Sequence, residues 1–178
     1  LRERAAALLE TAAPDRDPPA ELVRLVMAFE DLKELVDGSK TLATTKCSCR
    51  AIDGACGLPI DVCIQVDRAA EYAIERGTGR ELTKPETMEM LKKCAEDGLV
   101  AVSENKRGLG MVICNSCGDC CINWTSLKQG SRKFAAPSRY RATVADDDCN
   151  GCEVCIERCY FDALAMNDEA VAVVSEEN

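Results

Sequence analysis

Apolar positions recur at helical spacing through the first hundred residues. Leu22, Leu25, Val26, Phe29, Leu32 and Val36 mark one face of a helix that Asp17 and Pro18 are placed to start and Gly38 to end. Upstream, LRERAAALLE reads as a shorter helix from Leu1 to Thr11, stopped by Pro14, Pro18 and Pro19. Ile60 to Arg76 again has helical character, closed by Gly77 and Gly79. Thr83 and Glu86 form a T-x-x-E capping box that predicts a helix through Asp97, with Gly98 as its stop.

From Leu99 the period shortens. LVAVSE and LGMVI are strand-like runs separated by Asn105 to Gly108, which together predict a hairpin. A helix feeding such a hairpin has the outline of a winged helix. Residues 122–138 are polar, contain Gly130 and Pro137, and read as a loop. After them come a short strand (RYRATV), a cysteine motif, a short helix and two strands, ALAM and AVAVV, joined by Asn167 to Glu169. The expected fold class is therefore α+β in two parts. Residues 1–113 form a helical region with a cysteine-rich loop and the winged-helix-like element, and residues 114–178 form a small α+β domain.

Composition narrows the chemistry. Of 178 residues, 13 are cysteine and none is histidine. Without imidazole there is no His general base, no Cys-His or Ser-His-Asp nucleophile, no His-ligated haem and no mixed Cys and His zinc site. Aromatic residues make up only 4%, which counts against stacking on nucleic acid and leaves room for bound metal to help hold the fold. Net charge is −9 and uneven: residues 104–141 carry 7 basic and 2 acidic side chains, residues 142–178 carry 1 and 10. Such an acidic end repels DNA phosphate and suits a basic protein partner. No apolar run reaches the roughly 18 residues a membrane span needs, and no signal-peptide pattern is visible, so a cytoplasmic protein is the simplest reading. Because Leu1 opens inside a helical stretch, the chain reads as a fragment of a longer protein.

The cysteines fall into three groups of four, with Cys94 left over. Iron–sulfur cubanes take four thiolates each, so twelve ligands match three clusters. Cys149, Cys152, Cys155 and Cys159 have the C-x₂-C-x₂-C-x₃-C spacing that wraps three thiolates around one cubane and sends the fourth to a neighbouring cluster. Zinc or disulfides are the competing readings; reducing compartments disfavour disulfides, and zinc more often takes two separated Cys pairs. Cys114, Cys117, Cys120 and Cys121 (CNSCGDCC) make a second group. Cys47, Cys49, Cys56 and Cys63 make a third, spaced C-x-C-x₆-C-x₆-C, which fits either a cubane or zinc. There Gly54, Gly57 and Pro59 allow tight turns, Arg50 can offset cluster charge, and Cys63 is expected at the start of the Ile60 helix. Cys94, at helical spacing with Met88, Leu91 and Ala95, reads as a buried core thiol. Trp124, Tyr140 and Phe161 are either ordinary core or covers for clusters.

The C-terminal motif, with Gly151 between its first two ligands and the ALAM/AVAVV hairpin after it, resembles bacterial-type two-cluster ferredoxins. Tyr160 stands where that family usually has Pro. Together C-x-C-R, AEYAIERGTGR, EDGLV and CNSCGDCC are similar to the longer multi-cluster, ferredoxin-like 4Fe-4S proteins of anaerobic bacteria and archaea, over roughly residues 20–175. CNSC here replaces the CNCC common in that group. The resemblance implies a ferredoxin-like fold for residues 114–178 and two crossed ligand sets, Cys114/Cys117/Cys120/Cys159 and Cys149/Cys152/Cys155/Cys121, with Cys120 and Cys121 exchangeable. Cys47/Cys49/Cys56/Cys63 is the third set.

Electron transfer is the function that follows. The chain is expected to relay single electrons to or from a redox protein or oxidoreductase complex, as a carrier or subunit rather than an enzyme on its own. Every proposed cubane is fully ligated, and no C-x₃-C-x₂-C triad or catalytic base accompanies them. The alternative is an iron–sulfur redox-sensing DNA-binding regulator, with Lys106 and Arg107 at the wing tip. The net charge and Glu86, Glu89 and Glu96 on the would-be recognition helix oppose it.

Overall fold

The computed structural model describes residues 24–54, 56–104, 111–128 and 142–175. The helix expected over Leu1 to Thr11 and the wing-tip residues Lys106 and Arg107 lie outside them. The chain divides into two compact units, residues 1–137 and 138–178. This division falls after the second cysteine segment, whereas the boundary drawn at 113/114 runs through a strand.

The first unit is built on six antiparallel strands: β1 (Arg24–Val26), β2 (Leu42–Thr45), β3 (Cys63–Val66), β4 (Gly79–Glu81), β5 (Val100–Glu104) and β6 (Val112–Ser116). Their order in the sheet is β1-β5-β6-β3-β2-β4. The helices of this unit are α1 (Phe29–Gly38), α2 (Ser48–Asp53), α3 (Arg68–Glu75), α4 (Lys84–Glu96) and α5 (Ile122–Lys128). Helix α4 forms as its sequence dictates. Thr83 accepts a hydrogen bond from the Glu86 amide while the Glu86 carboxylate accepts from the Thr83 amide, which satisfies donors that the first turn leaves open. Its buried side, Thr87, Leu91 and Cys94, has the i, i+4, i+7 spacing of one helix face.

Leu91 of α4 and Leu32 and Val36 of α1 close on Leu42, Ile64, Val66 and Ile113 of the sheet, forming one apolar core. Successive strand residues point to opposite faces, so Ala43 and Thr45 lie on the other side, where α3 packs through Ala70 and Ala73. That approach depends on Gly79. A Cβ there would sit 2.8 Å from the Ala73 Cβ and 3.3 Å from Thr45 Cγ2.

Three expected elements are revised. The helix read from Leu22 begins only at Phe29, because Arg24–Val26 pairs with β5 and tertiary pairing overrides the local period. The helix read from Ile60 to Arg76 is a strand and then a helix: C-I-Q-V alternates, with Ile64 and Val66 buried. The chain then turns at Asp67 (φ 50°), whose carboxylate accepts hydrogen bonds from the Lys40 and Thr41 amides. Cys63 consequently opens a strand and not a helix. The loop expected over 122–138 contains α5.

The hairpin β5–β6 forms as expected, with Val102 opposite Cys114. Yet β5 also pairs with β1, and β6 with β3, so both are interior strands of a larger sheet and not a free wing. In the second unit a 3₁₀ turn (Asp146–Asp148) and α6 (Val154–Glu157) precede the hairpin of β7 (Leu164–Met166) and β8 (Ala172–Val174). The short helix and the two strands were both legible. Arg139, Tyr140 and Arg141 of the RYRATV run lie outside the described residues, and residues 142–145 have no regular structure.

Adding one methyl group at the α3–sheet contact tests the packing. Gly79→Ala should lower stability by about 1–3 kcal/mol, read as a lower urea midpoint with unchanged slope.

Candidate metal centre

One end of the sheet gathers the cysteine segments. β2 runs out at Thr45, opposite the first residue of β3, Cys63, and Ile64 of β3 faces Ile113 of β6. The next step along that ladder sets Cys63 beside Cys114, and the two sulfurs hydrogen-bond. Cys47 precedes α2 as its N-cap residue, and its amide donates to the Ile60 carbonyl at 2.8 Å. Its thiol is hydrogen-bonded to that of Cys49, in the first turn of α2. Cys121, at the foot of α5, is buried and donates to Ser116 Oγ at 3.4 Å.

A second gathering lies past the end of β6. The sulfurs of Cys56, Cys117 and Cys120 lie within 4.8 Å of one another, with Cys56 and Cys117 at 3.7 Å. Cys56 therefore stands with two thiols of the CNSCGDCC segment, although sequence spacing grouped it with Cys47, Cys49 and Cys63. Val62, Leu99 and Cys94 enclose the three, with Leu58 and Met90 against them. Three soft sulfur donors this close can hold a thiophilic metal ion or cluster.

Arg50 joins the two gatherings. Its side chain is 2% exposed, and the guanidinium donates to the Pro59 carbonyl and, at 3.0 Å, to the Asn115 carbonyl. Asn115 is itself buried and donates from Nδ2 to the Val62 carbonyl at 2.7 Å. Burial works against the Arg50 charge, but the Cys117 sulfur, hydrogen-bonded to it, and then Cys47 and Cys56 hold its pKa above the ordinary value.

The thiols are tuned in opposite directions. For Cys117, burial favours the neutral form, and the Cys120 amide, Arg50 and Cys56 together outweigh it, so its pKa falls. Burial pushes Cys120 up to about 12, helped by hydrogen bonding to the Asp53 carboxylate and to Cys56. The Cys49 hydrogen bond lowers Cys47 to about 5, while Cys49 itself is pushed up by the same bond. Cys63 is lowered by Cys114 above all, despite burial, with help from Thr45 and Gln65. This alternation is what closely paired thiols do: one becomes the thiolate and its neighbour keeps the proton.

In the second unit Cys149 and Cys159 are half-buried, and Cys152 and Cys155 are exposed. The Ala172 amide donates to Cys149 Sγ and the Ala163 amide to Cys159 Sγ, both at 3.4 Å. Gly151, between the first two cysteines, has φ 71°, and a Cβ there would lie 3.0 Å from the Ala170 carbonyl oxygen. Cys94 is the core thiol its spacing predicts, 2% exposed and raised to about 11, by burial first and then by Asp97. Trp124 is buried on α5. Two residues beside the site escaped sequence reading. Asp53 and Asn115 sit inside cysteine motifs, but nothing in their spacing separates a buried polar partner from a solvated one.

Comparison of the chain with family models, curated proteins and solved structures finds no match to any of them. Function therefore rests on the thiol geometry.

Two outcomes check this description. Arg50→Gln leaves the Pro59 and Asn115 carbonyls short of a donor and should lower stability by roughly 1–3 kcal/mol in urea titration. Cys94, buried and pushed up to about 11, is held as the neutral thiol at neutral pH and should alkylate with iodoacetamide far more slowly than the exposed Cys152 and Cys155 in the metal-free chain, as mapped by mass spectrometry.

Proposed function

We propose that the chain is an electron-transfer iron–sulfur protein, a ferredoxin-like carrier or subunit that binds 4Fe-4S clusters and relays single electrons to or from a partner oxidoreductase. The twelve cysteines other than Cys94 are the proposed ligands, enough for three cubanes. One observation carries the reading: in the second unit a backbone amide is aimed at the sulfur of the first and of the last cysteine of the C-x₂-C-x₂-C-x₃-C motif. Amide hydrogen bonds to ligand sulfur stabilise the negative charge of a thiolate–cluster complex and are one of the protein's means of setting its potential.

The first unit supports the reading independently. Its thiols are gathered, partly buried and backed by a buried cation, which suits an anionic metal–thiolate centre better than free thiols. Among the described residues no helix is long and apolar enough to cross a membrane. The acidic excess of residues 142–178 favours a partner with a basic docking face.

Anaerobic purification followed by iron and acid-labile sulfide analysis tests the proposal. Three cubanes should give about twelve of each per chain, together with EPR signals after dithionite reduction. Stoichiometric zinc with no sulfide would sink the iron–sulfur reading.

A further inference from the structure

The two cysteine segments of the first unit do not meet as blocks. Their order along the chain would give one centre to Cys47–Cys63 and another to Cys114–Cys121. The sheet mixes them, because β3 pairs with β6 and each strand carries or leads into thiols of its own segment. Cys63 and Cys114 are brought side by side across that ladder. Cys47 follows β2, whose last residue faces Cys63, and Cys49 is bonded to Cys47. Cys56, seven residues beyond Cys49 on the far side of Gly54, instead lies 3.7 Å from Cys117 and within 4.8 Å of Cys120.

We propose that the first unit holds two separate metal–thiolate centres, each drawing ligands from both cysteine segments. One takes Cys56, Cys117 and Cys120. The other takes Cys47, Cys49, Cys63 and Cys114. This rests on the metal-binding reading above and refines it: Cys56 and Cys114 change places between two of the expected sets.

The donor sets are chemically reasonable. The sulfurs of Cys56, Cys117 and Cys120 converge to within 4.8 Å of one another, with Cys117 and Cys120 buried. Soft thiolate donors are acceptable to zinc and to iron alike. The Arg50 charge interacts electrostatically with thiols of both sets, Cys117 and Cys56 of one and Cys47 of the other, so a single buried cation serves two anionic centres.

Paired variants separate this assignment from the one by chain order. In anaerobically purified full-length protein, Cys56→Ser and Cys117→Ser should each remove the same EPR component and about one centre's worth of iron, and the double variant no more than either single one. Cys63→Ser and Cys114→Ser should behave likewise for a different component. The combination Cys56→Ser with Cys63→Ser should remove two centres. Loss of only one centre in that combination, with loss of two when Cys56→Ser is joined to Cys117→Ser, would overturn the proposal.

Should a variant fail to fold, the wild-type chain still decides. Stepwise metal removal by a chelator with pulse alkylation should expose Cys56, Cys117 and Cys120 together, and Cys47, Cys49, Cys63 and Cys114 together. Exposure in blocks along the chain would refute the interleaved sets. If the purified protein holds zinc and no sulfide, the electron-transfer reading fails, and zinc content and co-alkylation still test the assignment of ligands.

Discussion

A guanidinium buried to 2% exposure at Arg50 sets the terms for the cysteine-rich end of the first unit. Removing a cation from water costs several kcal/mol unless hydrogen bonds and counter-charge offset it. Two carbonyls, of Pro59 and Asn115, supply hydrogen bonds, and the sulfurs of Cys117, Cys47 and Cys56 supply negative charge. These partners belong to three different pieces of chain. The same side chain thus ties α2 to the Cys56–Pro59 loop and to β6, and does so fully only when the thiols around it are ionised or metal-bound.

On the metal-binding reading, ligation and folding are consequently coupled in this unit. Its main core, around Ile64, Val66, Ile113 and Leu91, needs no metal, because strand pairing and helix packing bury it outright. The neighbouring cluster is different: Cys117 and Cys120 are themselves among its buried members, alongside Val62, Cys94 and Leu99. Thiols serve there as small hydrophobic side chains and, on the metal-binding reading, as ligands at once. With only 4% aromatic residues in the chain, few large side chains are on hand to replace that packing if the thiolates are left charged and unligated.

The sequence was most readable where local chemistry decides structure. The Thr83/Glu86 capping box, the LVAVSE/LGMVI hairpin, the Cys94 core position and the C-terminal strands all follow from short-range patterns, and each is present. It was least readable where pairing across the chain decides. Ile60 to Arg76 has enough apolar residues for a helix, but Cys63–Val66 is taken into the sheet between β2 and β6. That single change moves Cys63 from a helix start to a cross-strand neighbour of Cys114. Spacing says which cysteines belong to a motif, but only the strand order says which motifs share an end of the sheet.

On the electron-transfer reading, the two units are suited to different tasks by exposure alone. Cys152 and Cys155 are exposed, so a centre held there is open to water and within reach of a docked partner. Solvent around a cluster favours the more highly charged redox state, and hydrogen bonds from the Ala172 and Ala163 amides act on ligand charge at the other two sulfurs. Cys117 and Cys120 are buried in an apolar shell, and Arg50 lies against Cys117. Desolvation opposes added negative charge on such a centre, whereas the cation favours it. Replacing Arg50 with a neutral residue would leave desolvation unopposed, so the potential of the buried centre should fall while that of the exposed one stays in place.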